Sequence, residues 1–140
     1  MATNSPASTA RNNNEQQVGY LRITVNFNDA NVVNGVGKQW LPAGAVLVGT
    51  DILIVTVFNA VTTNVLTCGT NGPSTYDNIA NAGSNTPGTL GLTQNIKPSG
   101  TAAVPLAADS QVFVKFTQTG GAATTGQAIV VIKFITANDI

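Results

Sequence analysis

The chain has 140 residues, of which only 9% are charged, and its six basic and six acidic side chains cancel. A typical soluble domain carries roughly 25% charged residues, so this surface has little pull on phosphate backbones or anionic lipid, which argues against nucleic acid and membranes as partners. Histidine is absent from the sequence, which removes the commonest general base and metal ligand, and with it every Ser-His-Asp or Cys-His arrangement.

Polarity comes instead from 19 Thr and 16 Asn, with 14 Gly to turn the backbone. A surface of that kind solvates poorly and suits packing against other protein. The length fits one domain with a real core. Cys68 is the single cysteine, so no internal disulfide forms, and its expected role is that of a small buried hydrophobe. The opening residues, Met1 to Ser8, hold no positive region followed by an apolar core, and no run of 18 apolar residues follows. The expectation is a chain made and kept in a cytosol.

Residues 1–17 are polar and low in complexity, with Asn12-Asn13-Asn14 followed by Glu15-Gln16-Gln17. They bury too little apolar surface to order themselves and read as a flexible arm, with residues 18–140 as the folded domain. Either the arm stays loose or it orders on a neighbouring subunit. From Val18 to Phe27 the alternation is clean: Leu21, Ile23, Val25 and Phe27 share one face and Tyr20, Arg22, Thr24 and Asn26 the other. That pattern predicts a half-buried antiparallel strand.

A loop over 28–38 follows, with Asn34-Gly35 as a turn signal. Its Gly35-Val36-Gly37-Lys38 lacks the spacing and the hydroxyl residue of a phosphate loop. Gln39 to Gly44 leads into an apolar segment, Ala45 to Phe58, where Gly49 suggests a bulge. Beyond Gly49 the run Ile52 to Phe58 is apolar on both faces and reads as a buried strand in the middle of a sheet. Val65 to Cys68 reads as a short strand. The irregular stretch 69–87 offers one short helical turn over 74–80, capped by Ser74. Thr89 to Thr93 and Ala102 to Leu106 read as short strands, the latter at an edge because Pro105 has no amide to donate.

The chain then reads as a hairpin. Gln111 to Thr119 and Gln127 to Thr136 are both rich in β-branched and aromatic residues, separated by Gly120 to Gly126. One face of the pair (Val112, Val114, Phe116, Ala128, Val130, Ile132, Phe134) is the expected core. The other carries Gln111, Phe113, Lys115, Thr117, Ile129, Val131, Lys133 and Ile135, and is largely apolar despite its two lysines. Since monomers rarely expose a large apolar patch, either a loop of the same chain or another protein must cover it.

Roughly eight short strands with little helix predict an all-β, jelly-roll-like antiparallel sandwich. No catalytic signature accompanies it. Glu15, Asp29, Asp51, Asp77, Asp109 and Asp139 are scattered, no calcium-loop run is present, and Lys97-Pro98-Ser99 reads as a turn rather than a Ser/Lys pair. No cofactor or metal is expected. Trp40 stands out for binding: it is either core or, as tryptophans often are, an interface anchor.

Leu41-Pro42-Ala43-Gly44-Ala45, the segment Phe58 to Thr67, and Gly121 to Ala128 before an apolar strand resemble the decoration, or cement, proteins of tailed-bacteriophage heads. The likeness is strongest to the jelly-roll cement proteins known from a Bordetella podophage, and it covers the chain from about Tyr20 onward. It implies a symmetric homo-oligomer, a dimer in preference to a trimer, bound outside the capsid and bridging subunits of the major capsid protein. A two-fold dimer uses one self-complementary patch, for which Phe113, Ile129, Val131 and Ile135 are the candidates. Trp40, Leu41, Tyr76 and Arg11 are the candidates for meeting the capsid. The alternative is a carbohydrate-binding sandwich on a virion or cell surface, which requires exposed aromatics aligned for sugar stacking.

Overall fold

The period-two alternation of Leu21, Ile23 and Val25 makes a strand with one buried edge of side chains, and the same logic recurs along the chain. In the computed structural model, which describes residues 18–137, seven strands form: β1 (Val18–Asn26), β2 (Val36–Leu41), β3 (Val46–Thr56), β4 (Thr63–Gly69), β5 (Gly91–Ile96), β6 (Ser110–Thr119) and β7 (Gln127–Ile135). The expected amino-terminal arm, Arg11 included, lies outside the described residues.

The strands make two sheets, one of four in the order β1-β7-β3-β5 and one of three in the order β2-β6-β4, and every pairing is antiparallel. Consecutive strands alternate between the sheets all along the chain. This is the jelly-roll path, in which each connection crosses from one layer to the other. An eighth position is marked by a single antiparallel bridge from Cys68, on edge strand β4, to Ala80, closed by Cys68 N–H to Ala80 O at 3.0 Å and Ala80 N–H to Cys68 O at 2.9 Å. The surrounding loop is too rich in Gly, Pro and Asn to extend the ladder.

The alternation overturns the expected hairpin. β6 pairs with β2 and β4, whereas β7 pairs with β1 and β3, so the two arms lie in opposite layers and face each other across the core. The inward set is the one expected: Val112, Val114 and Phe116 from one sheet and Ala128, Val130 and Ile132 from the other are all fully buried. Phe58 and Phe116 meet at the centre, ring centroids 4.6 Å apart. Either arrangement buries the same side chains, which is why periodicity could not separate them.

Smaller differences have local causes. β2 was expected to be loop; its ladder with β6 shifts register between Gly37 and Gln39, and that bulge breaks the alternation in the sequence. Gly49 does sit at a register shift in β3, and β3 lies between β7 and β5 as a central strand. The segment 102–106 forms no strand; a 3-10 turn over Gly100–Ala102 takes its place. No helical turn forms at 74–80, where Tyr76 adopts a φ of 47°.

Candidate interaction surfaces

The outer faces of the two sheets differ, and the loop 70–78 is the reason. On the three-stranded sheet, Phe113 would be exposed between Gly37 and Gly69, its neighbours in β2 and β4. Tyr76 covers it, ring centroids 4.5 Å apart and planes within 17°. Asn71 shapes the loop that delivers this ring. Its side-chain oxygen accepts the backbone N–H groups of Asp77 (2.9 Å) and Asn78 (3.1 Å), its amide donates to Asp77 Oδ1 at 2.7 Å, and its carbonyl accepts from Tyr76 N–H at 2.9 Å. Lys115 Nζ, also on the outer face, donates to Ser74 O at 2.7 Å. Gly35 completes the seat: its φ of +104° suits glycine, and a Cβ there would lie 2.4 Å from the Tyr76 ring.

The four-stranded sheet has no such cover among the described residues. Its register sets the outward side chains in rows across β1, β7, β3 and β5. Val18, Ile135 and Val46 form one row, and Thr24, Ile129, Leu53 and Leu92 another, with Val131 between Arg22 and Asp51. Tyr20 is 67% exposed, Leu92 55% and Val48 51%, and Val55 and Ile135 are also exposed. The single ion pair among the rows is Lys133 Nζ to Asp51 Oδ1 at 3.4 Å, with Lys133 also donating to Asn95 Oδ1 at 3.3 Å. The face is therefore largely apolar, with Lys133 and Asp51 paired within it and Arg22 exposed on its edge strand β1.

The four residues expected to form one self-association patch are thus divided. Ile129, Val131 and Ile135 share the open face of the four-stranded sheet, while Phe113 is on the opposite side of the molecule beneath Tyr76. Of the two covers considered from sequence, the structure shows one: the chain's own loop lies over the outer face of the three-stranded sheet, and no described residue plays that part on the other. Sequence reasoning missed Val46, Val48, Leu53 and Leu92. The signal was there, since Ile52 to Phe58 is apolar at both parities, but it was read as burial on both sides of β3.

Of the residues expected to meet the capsid, Trp40 is 61% exposed on the outer side of the three-stranded sheet, beside Gln111. Leu41, next to it, points inward and is fully buried. Tyr76 is nearly buried in its stack, so neither residue offers a free side chain to a partner. The segment Gly35-Val36-Gly37-Lys38 runs into β2, and Lys38 Nζ is paired with Asp29 Oδ2 at 2.9 Å. Burial works against ionisation of Asp29, but the Asn26 backbone N–H and Lys38 outweigh it and hold the carboxyl below its usual range. Cys68 is fully buried, and that burial pushes its thiol up to about 12. Among the described residues no group of three or more acidic or cysteine side chains could hold a metal ion, and no helix is long and apolar enough to cross a membrane.

No protein-family model and no curated protein sequence matches the chain. Solved structures do match in fold. A chain of the capsid of Ralstonia phage GP4 superposes with a TM-score of 0.60 at 18% identity, covering 88% of this chain and 86% of that one. A chain of the acidic stable capsid of Helicobacter pylori bacteriophage KHP30 gives 0.57 at 15% identity, over 84% and 86%. A chain of the capsid asymmetric unit of cyanophage Pam1 gives 0.52 at 14% identity, over 86% and 84%. The sandwich is thus a fold found in three phage capsids, shared over nearly its whole length.

Proposed function

We propose that this chain is a structural protein of a bacteriophage virion that binds the outer surface of the capsid and cements neighbouring capsid subunits, so that the head resists the pressure of its packaged DNA. The observation that carries the reading is the open apolar face of the four-stranded sheet. A stable, charge-poor sandwich keeps such a face for another protein, because leaving it in water is unfavourable. The shared fold with chains of three phage capsids supports a place in the virion, and the resemblance of the loops to cement proteins supports the place on its outside.

The mechanism is mechanical and needs no cofactor. Each copy adds buried interface between capsid subunits, and the added interface, repeated over the shell, raises the cost of rupture. Apolar and amide contacts resist high salt better than ion pairs do. The partners are the major capsid protein and further copies of this chain, with a dimer favoured over a trimer. Synthesis takes place in the host bacterial cytoplasm. The capsid side falls to Trp40, to the loops over 71–87 and to the segment 1–17 with Arg11. Leu41 and Tyr76 act from within, the first anchoring the strand that presents Trp40 and the second seating the loop 70–78.

A carbohydrate-binding module fits less well. Sugar stacking needs aromatic rings aligned on one surface, and the two most exposed aromatics, Tyr20 and Trp40, lie on opposite sheets. Co-sedimentation with expanded capsids stripped of their surface proteins tests the proposal. Saturable binding that also raises the temperature at which the shells rupture is the expected result; absence of binding to every shell overturns it.

A further inference from the structure

We propose that Asn34 is a site of spontaneous covalent modification, at which the backbone nitrogen of Gly35 displaces the side-chain amide as ammonia. The chain holds two Asn-Gly pairs, Asn34-Gly35 and Asn71-Gly72. In each, the residue after the asparagine has no side chain to keep its nitrogen away from the asparagine Cγ. The structure separates the two pairs sharply, and it does so without reference to a capsid.

The Asn71 side chain is held at both of its polar atoms. Oδ1 accepts the N–H groups of Asp77 (2.9 Å) and Asn78 (3.1 Å), and Nδ2 donates to Asp77 Oδ1 at 2.7 Å. Its backbone carbonyl is held too, by Tyr76 N–H at 2.9 Å and Thr75 Oγ1 at 2.8 Å. Turning Cγ onto the Gly72 nitrogen breaks all three side-chain bonds and dismantles the loop that carries Tyr76.

Asn34 is the opposite case. It is exposed, on the loop between β1 and β2, and its backbone N–H donates to Asn31 O at 3.1 Å. Its side chain makes one bond, Nδ2 to Asn31 Oδ1 at 2.9 Å, in contact with water, where a bond to solvent replaces it at little cost. Asn34 Oδ1 accepts no hydrogen bond from the described residues, and Gly35 N–H finds no acceptor among them. The attacking nitrogen and the amide carbon are therefore free to meet.

The reaction needs only water and hydroxide. Hydroxide takes the Gly35 N–H proton, and the nitrogen forms a bond to Asn34 Cγ. The Cγ–Nδ2 bond then breaks, and its nitrogen takes the electron pair and a proton from water and leaves as ammonia. The product is a five-membered succinimide, which water opens. Attack at Cγ gives aspartate; attack at the Asn34 backbone carbonyl carbon gives isoaspartate, in which the main chain runs through the former side chain. Either product adds one negative charge to a chain whose charges otherwise cancel. Isoaspartate also lengthens the backbone by one carbon just before Gly35, which sits at a φ of +104° against the Tyr76 ring. The change therefore falls on the seat of the ring that covers Phe113, and loop 70–78 loosens as the protein ages.

Ageing the full chain in mildly alkaline buffer, followed by peptide mapping with mass spectrometry, tests the site. Each conversion raises the mass by one unit, and the isoaspartyl and aspartyl peptides separate on the column. In the folded chain Asn34 is expected to convert roughly ten-fold or more faster than Asn71, the scale of one or two hydrogen bonds that must break first. In urea the two rates should converge. Asn34→Ser removes the early conversion, and the map of the unsubstituted chain reads the same difference whether or not that variant folds. Equal rates at the two sites in the folded chain overturn the proposal, as does an Asn34 still unchanged when both sites have converted in urea. Amide hydrogen exchange on the separated isoaspartyl form reads the consequence. Faster exchange over 70–78, with β1 and β7 unchanged, is expected; unchanged exchange over 70–78 overturns the link to Tyr76.

Discussion

Tyr76 lies flat on Phe113, ring centroids 4.5 Å apart, and this contact closes the outer face of the three-stranded sheet. Tyr76 is the lid and Phe113 the base, with Gly35 and Gly72 leaving room for the ring on either side. Removing the lid exposes Phe113 and frees a loop whose other ties are hydrogen bonds around Asn71. Tyr76→Ala is expected to destabilise the fold by about 2–4 kcal/mol, in the range for truncating a buried aromatic, as measured by urea unfolding. Gly35→Ala should destabilise as well, since it introduces both a strained φ and a clash with the same ring. Loss of stability in Tyr76→Ala below about 0.5 kcal/mol, the level of an ordinary surface substitution, would mean that the stack is incidental.

Cys68 gives a pH-dependent signature. Its folded thiol is pushed up to about 12 by burial, whereas a cysteine in the unfolded chain ionises near 8.5. The folded state thus holds the proton more tightly, and the stability this contributes is complete below about pH 8.5 and is lost as pH rises toward 12, with a limiting slope of about 1.4 kcal/mol per pH unit. Cys68→Ala removes that contribution. The difference between the two proteins' unfolding free energies, followed from pH 8 upward, should shrink steadily. The native thiol should also resist alkylating reagents until the chain unfolds, because the reactive thiolate is suppressed.

The layers of this fold were legible in the sequence to different depths. Strand β1 and the inward residues of β6 and β7 followed from parity alone, because a strand offers only two faces and one was free of charge. Which sheet each strand joins did not follow: β6 and β7 bury Val112 to Phe116 and Ala128 to Ile132 equally well as a hairpin or as opposed layers. The choice is made by long-range pairing, as of Val131 with Arg22 and Asp51, which no local pattern encodes. For the same reason Phe113 was grouped with Ile129 and Val131, from which it is separated by the core. Trp40 was left between core and interface; it is exposed, while Leu41 beside it obeys the alternation and turns inward. The open face of β3 was visible as an apolar run and misread, since a buried face and an open apolar face leave the same mark on a sequence.

Lys133 and Asp51 form the one ion pair on the open face among the described residues, and Asp51 Oδ1 also accepts the backbone N–H of Asn95 at 2.9 Å. Such a pair at the edge of solvent contributes little to folding, about 0–1 kcal/mol. Lys133→Met is therefore expected to leave unfolding free energy within about 1 kcal/mol of the parent. Self-association should tighten, because the pair no longer needs desolvating when two faces meet. Sedimentation equilibrium compares the two directly. Unchanged association with unchanged stability would place this pair outside any interface.

Trp40 reports on the opposite surface. It is the single tryptophan of the chain, it is 61% exposed, and its indole is consequently solvated in the free protein. Trp40→Ser should change folding stability by no more than about 0.5 kcal/mol, as for a surface position. If Trp40 is an anchor for the capsid, the same substitution weakens binding to shells by roughly 30-fold or more, the cost of losing an interface hot spot. Intrinsic fluorescence supplies an independent readout: emission from the free chain should be that of a wet indole and should shift to the blue when shells are added. Binding that proceeds with no spectral shift and is indifferent to Trp40→Ser would move the capsid contact away from β2 and onto the loops over 71–87 or the segment before Val18.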